Sequence, residues 1–140
     1  MKIIDISTKK PPRWLLGEVK KKWNIEWESS IIFTYNGVIS SSLGKITEDL
    51  LVHESHHIVQ QKECGGSKKW FKRYLEDDKF RYEQELECYR LQYQWLEKHV
   101  KNKSEKFRFL KHYAKSLSGS MYGNLTTFFE AMSDIKNYEK

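Results

Sequence analysis

Five consecutive residues, His53-Glu54-Ser55-His56-His57, bring together side chains that could carry out metal-assisted chemistry. On a helix, His53 and His57 lie one turn apart and project about 40° from each other, so both imidazoles can reach one metal ion. Glu54 lies on the flank of this pair, where its carboxylate can take a proton from a water molecule at the metal. The spacing predicts a Zn²⁺ site with His53 and His57 as ligands and Glu54 as general base.

The segment that carries these residues is predicted to be a helix. Thr47 is a suitable N-terminal cap, and Gly65-Gly66 is a typical end signal. We expect the side opposite the two ligand histidines to face the core, and its apolar residues are Leu51, Val52, Ile58 and Val59. His56 lies about 100° from His57 around the helix, which makes it a poor co-ligand.

A catalytic zinc site needs a third protein ligand, and the next long predicted helix, residues 79–100, carries Glu83, Glu85 and Glu87. Glu85 shares its helix face with a mostly apolar stripe, whereas the other two point to polar neighbours. The stripe comprises Tyr82, Cys88, Tyr89, Gln92 and Leu96. A carboxylate on such a face is costly unless it is paired or binds a metal. Glu85 is therefore the predicted third ligand, with Glu87 as the alternative ligand and a buried ion pair with Arg81 as the alternative role.

Further side chains could serve the same site. Tyr122, in a turn-rich segment, and His112 are candidate donors to an oxyanion, since a donor aimed at developing charge stabilises the transition state. The alternatives are an aromatic plug at the turn for Tyr122 and a solvated helix histidine for His112. Four aromatic residues recur at helical spacing, and this pattern predicts that they belong to the core. The alternative is that they line a substrate groove. They are Trp70, Phe71, Tyr74 and Phe80.

The rest of the chain predicts a helix-dominated α+β fold in a single domain, 1–140. Asn36-Gly37 is a tight-turn signal between two predicted antiparallel strands, 25–35 and 38–41, which we place beside the motif helix. An edge strand there could bind an extended peptide by adding a strand. A short strand is predicted over Ile3 to Ile6, and loops over 40–44, 101–106 and 118–124. The other predicted helices run from Pro11-Pro12 to about 23, over 68–78 after a cap at Ser67, over 107–118 and over 125–140.

Composition narrows the class of protein. The net charge of +6 comes from 25 basic and 19 acidic residues in short clusters, which is typical of a lysine-rich solvated surface. Signatures that combine aromatic and basic residues for nucleic-acid binding are missing, so nucleic acid is not an expected partner. Two cysteines without a CxxC pair fit a reducing compartment. No secretory signal or long apolar segment is evident, so we expect a cytoplasmic protein that does not use a membrane.

The motif helix, LLVHESHHIVQQ, resembles the active-site helix of the zincin metallopeptidases. The segment from Glu85 to Tyr89, ELECY, is similar to the E-x-x-A-[DY] pattern of gluzincin-type members, with Cys88 in place of alanine. The chain also resembles small metallopeptidase-like proteins of tailed bacteriophages over about residues 33–130. That likeness is carried by TYNGVI, HESHHIVQQ, WFKRYLEDDKFRYEQELECYRLQ and SLSGSMYG.

The resemblance implies a minimal zincin-like domain in which His53, His57 and Glu85 bind zinc and Glu54 is the general base. The expected activity is zinc-dependent hydrolysis of a peptide or protein substrate, in the cytoplasm of a host cell or in a virion. The alternative is a zincin-fold structural or assembly protein, such as a component of a phage particle, with little or no catalysis. A nucleic-acid-binding module that uses the basic clusters is a third and less favoured hypothesis.

Overall fold

The computed structural model describes residues 1–137. The chain divides into two compact units, Met1–Glu76 and Asp77–Lys140, which are described separately below. Three predicted site residues, His53, Glu54 and His57, belong to the first unit, and Glu85 belongs to the second. This division does not decide whether the chain is one folding domain, so the single domain over 1–140 stays a prediction.

Two small antiparallel sheets form the β part of the first unit. Strand β1, Ile3–Asp5, pairs with β4, Lys45–Thr47, and strand β2, Phe33–Tyr35, pairs with β3, Val38–Ser40. Asn36 and Gly37 join β2 to β3 with φ angles of 48° and 77°. Two successive left-handed residues match the twist of a two-residue hairpin, which explains the Asn-Gly sequence. The predicted hairpin is confirmed.

The strand predicted over 25–35 is wrong in its first half. Trp27–Ser29 is a short 3-10 helix, followed by Ser30 in a left-handed conformation with φ 62°. The buried Trp27 ring stacks on Phe33 at 6.2 Å between centroids, so the aromatic residues reflect packing rather than strand pairing. The loop predicted over 40–44 is confirmed after Ser40, the last residue of β3. Strand β4 was not predicted, because a three-residue strand is too short to show a periodic pattern.

Three helices complete the first unit. Helix α1 spans Arg13–Trp23, as the proline pair predicted, and α2 spans Glu48–Glu63 with the His-Glu-His motif at its centre. Helix α3 spans Ser67–Glu76. Helix α2 packs against β1, β2, β4 and α3, so small sheets do lie beside the motif helix as predicted.

The core face of α2 is the reverse of the predicted one. None of the four apolar residues expected in the core is buried, and Val59 is 44% exposed. The buried residues are instead polar: Asp49, His53, Glu54, His57, Gln60 and Gln61. This is possible because, within residues 1–137, no buried side-chain nitrogen or oxygen lacks a hydrogen-bond partner. The motif therefore lies on the inward side of α2.

The second unit is helical. Helix α4 spans Asp78–His99, α5 spans Lys103–Leu117 and α6 spans Phe128–Lys136, and each packs on the other two. The loop predicted over 101–106 is wrong after Asn102, because the Asn102 side chain caps α5 by accepting a hydrogen bond from the Glu105 amide. A short 3-10 helix, Ser120–Tyr122, lies in the predicted 118–124 connection. The last helix was predicted to 140, and 138–140 lie outside the described residues.

The architecture is α+β, with helices dominant and two small antiparallel sheets, as the sequence predicted. Among the described residues, no helix combines the length and the apolar character that crossing a lipid bilayer requires.

Candidate metal centre

His53 and His57 lie side by side on the inner face of α2. His53 is 4% exposed and His57 is 5% exposed. Their ring centroids are 5.0 Å apart, with an interplanar angle of 77°. A helix places residues i and i+4 on one face, which explains the proximity. The prediction that the two imidazoles share one side of a helix is confirmed.

The orientation of His57 is fixed by two neighbours. Its Nδ1 lies 2.7 Å from the Oε1 atom of the buried Gln60, and its ring packs 5.1 Å from the Trp70 ring. An amide oxygen only accepts hydrogen bonds, so a neutral His57 that donates to it from Nδ1 has Nε2 as its ligand atom. Metal-bound histidines commonly donate their other ring N–H to a protein acceptor in this way.

Glu54 is buried and its two carboxylate oxygens have different neighbours. The hydroxyl of Thr34, on β2, donates a hydrogen bond to Oε1 at 3.0 Å. The other oxygen, Oε2, lies 3.8 Å from Nε2 of His53. Oε2 and a candidate ligand nitrogen therefore border the same space, which is the arrangement expected of a base beside a metal site.

The Glu85 side of α4 is also buried. Glu85 is 5% exposed and Cys88, one turn further along the helix, is fully buried, whereas Glu83 and Glu87 are exposed. The predicted separation of the three glutamates by helix face is confirmed. The role of Glu85 as a ligand stays a prediction.

His53 and His57 are buried residues whose ring nitrogens could hold a metal ion. In the second unit, Cys88 is a buried free thiol and a further candidate ligand. The apolar stripe and the E-x-x-A-[DY] pattern place Cys88 among apolar or small residues, so neither predicts its thiol as a donor. The available signal was its position three residues after Glu85 on the same face. Histidine nitrogen and cysteine sulfur are both donors that Zn²⁺ accepts.

Comparison with known proteins adds no assignment. No protein-family model, curated protein or solved structure matches this chain at a significant level.

The remaining candidates divide clearly by exposure. His112 is exposed, as expected of a solvated helix histidine, and Tyr122 is buried in the 3-10 helix that packs on α4. A role for either side chain toward an oxyanion stays a prediction. The core interpretation of the four aromatic residues is confirmed, since all are buried: Trp70, Phe71, Tyr74 and Phe80.

The hairpin offers less free strand edge than the sequence suggested. The Ser7 amide donates to the Ile39 carbonyl at 3.1 Å, and the Ser41 amide donates to the Ser7 carbonyl at 3.0 Å. On the other edge, the Thr34 carbonyl accepts a hydrogen bond from Gln61. A peptide added as a strand could not use these positions. An open cavity of about 290 Å³ lies along the hairpin. None of its lining residues is a predicted site residue. They are Lys9, Lys10, Pro11, Pro12, Tyr35, Asn36, Val38 and Ser40.

Proposed function

We propose that this protein is a zinc-dependent hydrolase, and specifically a peptidase. The observation that carries the proposal is the buried cluster on α2, in which His53 and His57 are adjacent and Glu54 directs Oε2 toward His53. A histidine pair and a carboxylate with this spacing are typical of metal-assisted hydrolysis.

The donor set is suited to zinc. His57 is the better defined ligand, because Gln60 contacts its Nδ1 and metal-bound histidines commonly bond a protein partner through the ring nitrogen that does not bind the metal. We assign the third ligand to Glu85 rather than Glu87, since Glu85 is buried and Glu87 is exposed. A carboxylate in a buried position is stabilised when it binds a cation. Two histidines and one glutamate leave a coordination position free, as catalytic zinc sites require.

Zinc bound by these residues would supply Lewis-acid chemistry, lowering the pKa of a water molecule and polarising a substrate carbonyl. Glu54 would accept the proton of the attacking water on Oε2, because Oε1 is engaged by Thr34. The same oxygen could then donate that proton to the leaving amine. The low exposure of Glu54 limits competition from bulk water for this proton.

Substitution of the proposed base tests the function directly. We expect Glu54→Gln to bind as much zinc as the wild type and to lose hydrolysis of an unfolded protein substrate by about 10²–10⁴-fold. Glu63→Gln, an exposed position at the end of the same helix, is the matched control and should keep full activity. Metal content is measured by elemental analysis and hydrolysis by release of new amino termini.

The alternative function predicts a different result from the same experiment. A zincin-fold structural or assembly protein would bind zinc in the wild type and show no hydrolysis in any variant. Equal hydrolysis by the wild type and Glu54→Gln would contradict the assignment of Glu54.

A further inference from the structure

Thr34 provides the hydrogen bond that fixes one oxygen of the Glu54 carboxylate. The two residues are 20 positions apart in the chain, and the Thr34 side chain is almost fully buried. A threonine hydroxyl can donate one hydrogen bond, and a donor to a charged acceptor forms a stronger bond than a donor to a neutral one. The contact is therefore a directional restraint on the carboxylate and not only a packing contact.

The backbone around Thr34 is held by a second set of buried side chains, Gln61 and Ser67, which we call the hairpin anchor. Gln61 donates from Nε2 to the Thr34 carbonyl at 2.6 Å, and Ser67 donates from Oγ to Gln61 Oε1 at 2.5 Å. Ser67 Oγ in turn accepts the Asn36 amide at 2.8 Å. The direction of all three hydrogen bonds in this series is defined, because the Asn36 amide can only donate and the Thr34 carbonyl can only accept.

The hairpin anchor connects the end of α2 and the start of α3 to two points on the hairpin, Thr34 and Asn36. Glu54 lies on the same helix as Gln61, two turns earlier, so one helix holds both the carboxylate and the residue that supports its partner. Threonine also has a restricted χ1 angle, which limits where its hydroxyl can point once the backbone is held. The arrangement prepares the carboxylate orientation before any ligand binds.

We propose that Thr34 is a positioning residue for the general base, held in place by Gln61 and Ser67. Its hydroxyl occupies Oε1 of Glu54 and thereby presents Oε2 on the side of His53 for proton transfer. This proposal rests on the proposed hydrolytic function for its effect on rate. The orientation of the carboxylate is a separate property that can be measured without activity.

The test compares Thr34→Val, which keeps the side-chain shape and lacks the hydroxyl, with Thr34→Ser, which keeps the hydroxyl. For Thr34→Val we expect kcat to fall by about ten- to a hundredfold, with KM changed less than about twofold and zinc content unchanged. Thr34→Ser should restore most of kcat. Thr47→Val is the matched control, because Thr47 also donates to a carboxylate of α2, that of Asp49. It should keep the wild-type kcat.

The second readout is the ¹³C chemical shift of the Glu54 carboxylate in protein labelled at glutamate, assigned by its loss in Glu54→Gln. We expect this signal to move in Thr34→Val, to return toward its wild-type position in Thr34→Ser, and to stay in place in Thr47→Val. An unmoved signal in Thr34→Val overturns the proposal whether or not the protein is active. A moved signal with an unchanged kcat overturns the rate effect. A moved signal in a protein that hydrolyses no peptide supports the positioning and rejects the proposed function.

Discussion

Gln60 and His57 share a buried hydrogen bond on α2, with 2.7 Å between the amide Oε1 and the ring Nδ1. The two residues are three positions apart, so the helix itself brings them together. A neutral His57 that donates from Nδ1 to this amide oxygen has Nε2 as its ligand atom for a metal ion. His57 is thus oriented by its own helix.

Removal of this contact should weaken metal binding without unfolding the protein. We expect Gln60→Leu to lower zinc affinity by about 10–100-fold, as is usual when the partner of a metal-bound histidine is lost. Competition with a chromophoric chelator measures the affinity. Lys62→Ala changes an exposed residue of the same helix and serves as the control. An unchanged zinc affinity in Gln60→Leu would show that the hydrogen bond does not support His57 as a metal ligand.

The third ligand can be identified by a matched pair of variants on α4. Glu85→Gln and Glu87→Gln make the same chemical change at a buried and an exposed position two residues apart. We expect Glu85→Gln to lose most zinc binding and Glu87→Gln to retain it, because Glu85 lies on the buried face of α4 and Glu87 on its exposed face. Isothermal titration with zinc gives both affinities. The reverse order would assign the ligand to Glu87.

Replacement of Cys88 tests whether the proposed zinc site is catalytic or structural. A set of three ligands, His53, His57 and Glu85, leaves a position for substrate, whereas an added thiolate would complete a four-ligand structural site. For a hydrolase we expect Cys88→Ser to keep zinc content and hydrolysis, and the cobalt-substituted wild type to lack a thiolate-to-metal absorption band. A strong band in the wild type that disappears in Cys88→Ser would favour the structural alternative.

Trp70 connects the site to the core of the first unit. It is 2% exposed and packs on the rings of His57 and Tyr74, at 5.1 Å and 4.7 Å between centroids. Trp70→Ala should lower the free energy of unfolding by about 3–5 kcal/mol, because a large buried side chain is replaced by a cavity. Phe129→Ala, at a position that is 79% exposed, should change it by less than about 0.5 kcal/mol. Urea unfolding followed by circular dichroism compares the two, and equal losses would contradict the packing argument.

The sequence predicted the parts of this site that depend on local spacing. The helical location of His53, Glu54 and His57, and the inward face of Glu85, follow from a regular period of about 3.6 residues. The Asn36-Gly37 turn follows from local backbone preferences. These features need no knowledge of distant parts of the chain.

The environment of the motif could not be predicted in the same way. The apolar residues of α2 suggested a core on the wrong side, since burial of its polar side requires partners from elsewhere in the chain. Thr34 and Ser67 supply them, through contacts with Glu54 and Gln61 that join residues 20 and 6 positions apart. A sequence pattern records hydrophobic period but not long-range hydrogen bonds, so helix faces stabilised by such bonds are assigned wrongly.

The central claim, that α2 carries a metal centre, is tested most directly by the metal content of the purified protein. Wild-type protein and His57→Ala are prepared without chelators, compared by circular dichroism for folding, and analysed for zinc. We expect about one zinc per chain in the wild type and little or none in folded His57→Ala, since a catalytic site depends on every one of its few protein ligands. A wild-type protein that fails to take up zinc, or a His57→Ala variant that retains it fully, would contradict the claim.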